Sequence, residues 1–352
     1  MGLLVASVGA CASDSAAPPE HDYVDGAGVA LSVSPQLIAP GEDTEPADRA
    51  DYRVTAHFDG AGAGVEVELQ TWADGGWRAG RTTNTDDRGD ASFVAPGDVW
   101  ARVVAVVDGT TRAAHLYPGR DGAPILFTDE FDASLRAPWT GVGQPREGYS
   151  CSRGDDEAAF VTDGVLRLEV KTDPTVSCDL PQPGRANGHV VYDSPLGFGT
   201  IAARIRFAAQ DDVTGGFWLQ PAGASRPWTL APTEEGVMIA STKGRGRSRA
   251  RTSVQWLETE SGTVRRAVRP VTPDPTADDE FHVYSVDWTP TRYVFRVDGR
   301  AVRTATRGVA SPPQLMALAL LSPDDRRFSG DSRAMDVDWV RVWGQDPLKP
   351  AQ

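Results

Sequence analysis

Phe281-His282-Val283-Tyr284-Ser285-Val286-Asp287-Trp288-Thr289-Pro290, followed by Tyr293-Val294-Phe295-Arg296-Val297-Asp298-Gly299-Arg300, reads as consecutive strands of an antiparallel sheet. The first segment alternates apolar and polar residues in part, and Tyr293 to Val297 alternates cleanly. Such a period-2 pattern marks half-buried strands. Asp298-Gly299 is a hairpin signal, because glycine supplies positive φ at little cost. Ala301-Val302-Arg303 is then the returning strand. Near the C-terminus, Met335-Asp336-Val337-Asp338-Trp339-Val340-Arg341-Val342-Trp343 is a further strand of the same kind.

Working outward, few helix signals occur between Ile125 and the C-terminus. A stretch of roughly 220 residues suits one large antiparallel sandwich. Three earlier segments fit it. Phe127-Thr128-Asp129-Glu130-Phe131-Asp132 precedes Trp139, Tyr192-Asp193-Ser194-Pro195-Leu196-Gly197-Phe198-Gly199-Thr200-Ile201-Ala202-Ala203-Arg204-Ile205 reads as a strand pair, and Gly215-Gly216-Phe217-Trp218-Leu219 as a strand. In this order, together with the C-terminal strands, they resemble glycoside hydrolase family 16, the laminarinase, lichenase and agarase group. The resemblance implies a concanavalin A-like jelly roll over residues 125–345, with one curved sheet forming a saccharide cleft.

Members of that family hydrolyse with retention. Two carboxylates flank the scissile bond, one attacking while the other protonates the leaving oxygen. The resemblance implies Glu-x-Asp-x-x-Glu on one strand, where alternation aligns the first Glu with the Asp and a bulge brings the last Glu onto their face. The matching stretch is Glu235-Gly236-Val237-Met238-Ile239-Ala240-Ser241. Gly236 falls at the nucleophile, Met238 at the assisting Asp and Ser241 at the acid/base, so no carboxylate remains. Sliding the register does not rescue the motif. Glu235 as nucleophile leaves Val237 and Ala240, and Glu234 leaves Gly236 and Ile239. Glu234 and Glu235 stay as weak substitutes, and Asp211 and Asp212 as outlying acids.

Tryptophan faces stack on pyranose rings, so Trp218, Trp228 and Trp256 are candidate sugar-binding residues, with core packing as the alternative. The family resemblance implies no cofactor for the chemistry, and it implies a structural calcium with Glu130 and Asp338 as ligand candidates. An ion pair or hydrogen bond between the terminal strands is the alternative for those two acids. The five histidines are scattered and form no zinc motif.

The N-terminal part is organised differently. In residues 1–11, the apolar run Leu3-Leu4-Val5-Ala6-Ser7-Val8-Gly9-Ala10 ends at Cys11 and resembles a bacterial lipobox, which implies lipidation of Cys11. Residues 12–25 form a polar tether. Residues 26–118 carry short alternating segments separated by Gly, Asp and Pro clusters. Gly76-Trp77 and the later Thr85-Asp86-Asp87-Arg88-Gly89 resemble bacterial immunoglobulin-like repeats. The expected architecture is therefore all-β, an immunoglobulin-like sandwich followed by the jelly roll. Cys151 and Cys178 are expected to form a disulfide once the chain is exported.

The formal net charge of −14 argues against nucleic acid as a partner, since phosphate backbones repel it. The basic run Lys243 to Arg251 is a solvated loop or an anion attractant. No segment is long and apolar enough to span a membrane, so contact with one is expected only through the lipid anchor. The expected location is the outer face of the cell membrane, or outside the cell. Three functions stay open: saccharide recognition without catalysis, hydrolysis or transglycosylation by a relocated carboxylate pair, and a structural or protein-binding envelope role.

Overall fold

The computed structural model describes residues 28–37, 52–141, 150–207, 212–222, 236–242, 250–258, 261, 263–272, 280–325, 327–328 and 330–344. Cys11 and the tether lie outside them. The chain divides into two compact units, with the boundary between Gly122 and Ala123.

Among the described residues, the first unit has seven strands in two sheets. Val29–Pro35, Tyr52–Phe58 and Asp90–Ala95 form one, and Glu66–Ala73, Gly76–Asn84, Ala101–Val107 and Thr110–Leu116 the other. Tyr52–Phe58 buries every second residue, as its sequence alternation demands. Val54, Phe58 and Phe93 meet Val67, Leu69, Val103 and Leu116 in one core, so the two sheets form a β-sandwich. Gly89 (φ +81°) closes a turn in which any Cβ would lie 2.8 Å from the Phe58 carbonyl oxygen.

The second unit is a larger sandwich. Its seven-stranded sheet runs, in spatial order, Thr263–Pro270, Ala250–Glu258, Gly236–Thr242, Thr214–Pro221, Gln314–Leu321, His189–Leu196 and Trp139–Gly141. The opposing sheet is built around the long strand Ser332–Gly344, which pairs antiparallel with Val165–Thr172, Gly199–Arg206 and Ile125–Asp129. His282–Thr289, Arg292–Val297 and Arg300–Ala305 continue it as a meander. The Asp298-Gly299 turn has φ of 48° and 70°, the two positive values of a type I′ hairpin.

Between the sheets, Phe217, Leu219, Val237, Ile239 and Val254 pack against Ile201, Tyr284, Val286, Trp288, Phe295, Val337 and Val340. The polar atoms of two buried aromatic residues are satisfied locally. The Trp288 indole N–H donates to the Ala310 carbonyl (3.0 Å), and the Tyr293 hydroxyl accepts from the Ala310 N–H (2.9 Å). Asp129 accepts from the Phe131 N–H and the Trp139 indole N–H, both at 2.8 Å, which fixes the chain as it leaves the first strand. The Cys151–Cys178 disulfide is formed, with 27 residues of separation.

Candidate functional site

The strand Gly236–Thr242 lies third from the edge of the seven-stranded sheet, and its backbone is bulged. Trp218 stands opposite Met238 and Gly216 opposite Ser241, so three residues on this strand span two on its neighbour. The same mismatch occurs on the other side, where Met238 faces Ser253 and Ser241 faces Arg251. An extra residue in a strand is a β-bulge, and it resets which face the following side chains take. Ile239 and Ala240 both enter the inter-sheet core. Gly236, Met238 and Ser241 consequently share the outward face.

That face holds its own apolar cluster: Val191, Trp218, Met238, Ala317, Ala319 and Leu321. Trp218 is fully buried. Its ring stacks on His189, with centroids 5.7 Å apart and planes 21° from parallel. Its indole N–H donates to Gln220 Oε1 at 2.8 Å. Trp218 is on the side its spacing indicates, but its ring is part of the packing and is not offered to a sugar. Trp256 is a correction. It has the same strand parity as Val254, packs on the inter-sheet core and abuts Gly308, so it lies on the opposite face from the cluster. Trp228, Glu234, Glu235 and Asp211 lie outside the described residues. Asp212 is held by Arg333 through contacts of 3.0 and 3.2 Å.

The outward positions of the three strands Thr214–Pro221, Gly236–Thr242 and Ala250–Glu258 include no carboxylate. Polar groups there are Gln220, Ser241, Ser253 and Gln255, with Arg251 opposite Ser241 and Arg266 opposite Gln255. Arg266 Nη2 donates to Ser253 Oγ at 3.4 Å, which confirms its face. Desolvation first, and the charge of Arg251 second, pull the Arg266 guanidinium below its usual range. Sequence reasoning missed Arg266. The alternation of Thr263-Val264-Arg265-Arg266-Ala267-Val268 shows two faces, but nothing local says which of them meets Gly236–Thr242.

The residues proposed for calcium do not fit a cation. Both oxygens of Glu130 accept from Arg341 at 2.8 Å, and Asp338 pairs with Arg204 Nη1. Each carboxylate is already neutralised, and no group of three metal-ligating side chains occurs among the described residues. The ion-pair alternative describes these acids.

Two facing, largely antiparallel sheets, one with a bulged inner strand, define the class of the second unit as a jelly roll. Residues 146–341, more than half of the chain, match the pattern of glycosyl hydrolases family 16, and the chain belongs to that family. Its fold is similar to that of LamA from Zobellia galactanivorans, with a TM-score of 0.52 and 16% identity over 62% of this chain and 97% of the other. A second structure of that protein holds laminaritriose and laminaritetraose. The laminarinase catalytic domain of Thermotoga maritima is similar to the same degree, with a TM-score of 0.52 and 17% identity over 63% of this chain and 98% of the other. No curated protein matches the chain.

Proposed function

We infer that this chain recognises a polysaccharide without performing the family's hydrolysis. The observation that carries the reading is the outward face of Gly236–Thr242. The strand keeps the bulge that the family's two-carboxylate mechanism uses, yet presents Gly236, Met238 and Ser241. Glycine cannot attack an anomeric carbon, a thioether holds no proton for the leaving oxygen, and a serine hydroxyl is too weak an acid for that step. The laminarin oligosaccharides held by a structural neighbour support a glycan of the β-glucan or galactan class as the ligand. The N-terminal sandwich acts as a spacer, and lipidated Cys11 anchors the protein outside the cell.

The test incubates the chain from residue 12 onward with β-1,3- and mixed-linkage glucans, agarose and carrageenan. Reducing-end release and retardation in affinity electrophoresis are both recorded. Retardation without release is expected. Release that disappears in a Glu234→Ala/Glu235→Ala double variant would establish a relocated catalytic pair and overturn the reading. Absence of both signals moves the protein to a structural or protein-binding role.

A further inference from the structure

The chain is acidic overall, at −14, yet the outward face beside Gly236–Thr242 carries two arginines, and the facing positions of its described strands hold no acid. Several other arginines of this unit are matched: Arg265 with Glu258, Arg333 with Asp212, Arg341 with Glu130 and Arg204 with Asp338. Arg251 and Arg266 form no ion pair among the described residues. The register sets Arg251 across from Ser241, and Arg266 across from Gln255, which itself faces Gly236. The two cations therefore flank the positions where a family hydrolase would keep its carboxylates.

Their surroundings are those of a binding surface. Arg266 is solvent-accessible, yet it is desolvated and feels the charge of Arg251. Among the described residues its hydrogen bond, 3.4 Å to Ser253 Oγ, is long and engages one nitrogen of the fork. Two like charges within electrostatic reach repel, and an anion between them removes that repulsion. Arginine is suited to the task, because its planar fork meets the oxygens of sulfate, phosphate or carboxylate in pairs. Two carboxylates on the neighbouring strand would repel such a ligand. Glycine, methionine and serine do not.

We propose that Arg251 and Arg266 form an anion subsite next to Gly236, Met238 and Ser241, and that the polysaccharide bound there carries acidic substituents. This rests on the reading that the face binds polysaccharide, and it narrows the ligand to a glycan bearing sulfate, phosphate ester or uronate groups.

The test measures affinity of the chain from residue 12 onward for laminarin, for sulfated and phosphorylated laminarin, and for a polyuronate. Measurements are made at low and at physiological salt, with thermal melts to verify folding. At least one charged polymer is expected to bind roughly tenfold or more tightly than neutral laminarin, and the responding polymer names the group. Arg251→Gln and Arg266→Gln should each lose about tenfold of that affinity and flatten its salt dependence, consistent with one charge-assisted contact each. Arg265→Gln, whose partner is Glu258 on the other face, should change nothing. Equal binding of neutral and charged polymers, indifferent to both substitutions, overturns the anion subsite and leaves polysaccharide recognition standing. Charged-polymer binding that survives both substitutions also overturns it. Failure to bind any polymer overturns both.

Discussion

Met238 is the residue on which the functional reading turns, and its environment makes a stability prediction. It is 1% exposed and packed with Trp218, Ala317 and Val191. Met238→Asp would place a carboxylate where a hydrolase keeps one, in a pocket adapted to an apolar side chain. An unpaired buried charge costs several kcal/mol, so a loss of about 3 kcal/mol is expected from urea unfolding. A variant as stable as wild type would show that the pocket still accommodates an acid. Asp336 presents the opposite case. Desolvation is the largest influence on it and works to raise its pKa. Hydrogen bonds from Arg167 and Arg206 outweigh that and hold it below the usual carboxylate range. A depressed folded pKa contributes stability above the unfolded value, about 3.9, and loses it as pH falls through the lower folded value. The unfolding midpoint of wild type should therefore drop on acidification below about pH 4, and Asp336→Asn should remove part of that drop. At neutral pH the same substitution should cost about 2 kcal/mol, discounted because both arginines are partly exposed.

At the scale of elements, local pattern and long-range pairing divide the work. The Asp298-Gly299 turn was legible because a type I′ hairpin imposes its chemistry on two adjacent residues. The positions of Gly236, Met238 and Ser241, and the bulge between Met238 and Ser241, were legible only through the family resemblance. Trp256 was not. Alternation states that Gln255 and Trp256 point opposite ways, but which way is inward depends on Val254 meeting the other sheet. Glu130 with Arg341 was equally hidden, being a pair 211 residues apart that exists only because the first and last strands of the unit lie side by side. The cysteines were readable as a pair, since setting Cys11 aside leaves two, and the bond between them is formed. Their bond closes a segment also tied down by Asp324, which accepts from the N–H groups of Ser150 and Cys151. Cys151→Ala/Cys178→Ala should lower unfolding stability by about 3 kcal/mol, the loop-closure value for a crosslink of this span. No change in the denaturation midpoint would mean that the strands alone hold the segment.

For the whole molecule, two cores are decisive. The first sandwich buries its apolar residues among themselves, and the jelly roll does the same separately. Units with independent cores unfold independently unless an extensive interface couples them. Calorimetry should resolve two transitions. Met238→Asp should move only one of them, and Phe93→Ala, in the first core, only the other. A single transition shifted by both substitutions would show that the units fold as one.

The sequence by itself determined the all-β class and, through the family resemblance its ordered motifs carry, the family, because alternation, turn chemistry and motif order lie along the chain. Only the tertiary structure decided which tryptophans are walls and which are core. It also decided that Glu130 and Asp338 belong to arginines, and that Arg251 and Arg266 stand together beside an uncharged strand. The physical reason is that a side chain's partner is set by sheet order and register. Those bring together residues that no local window contains.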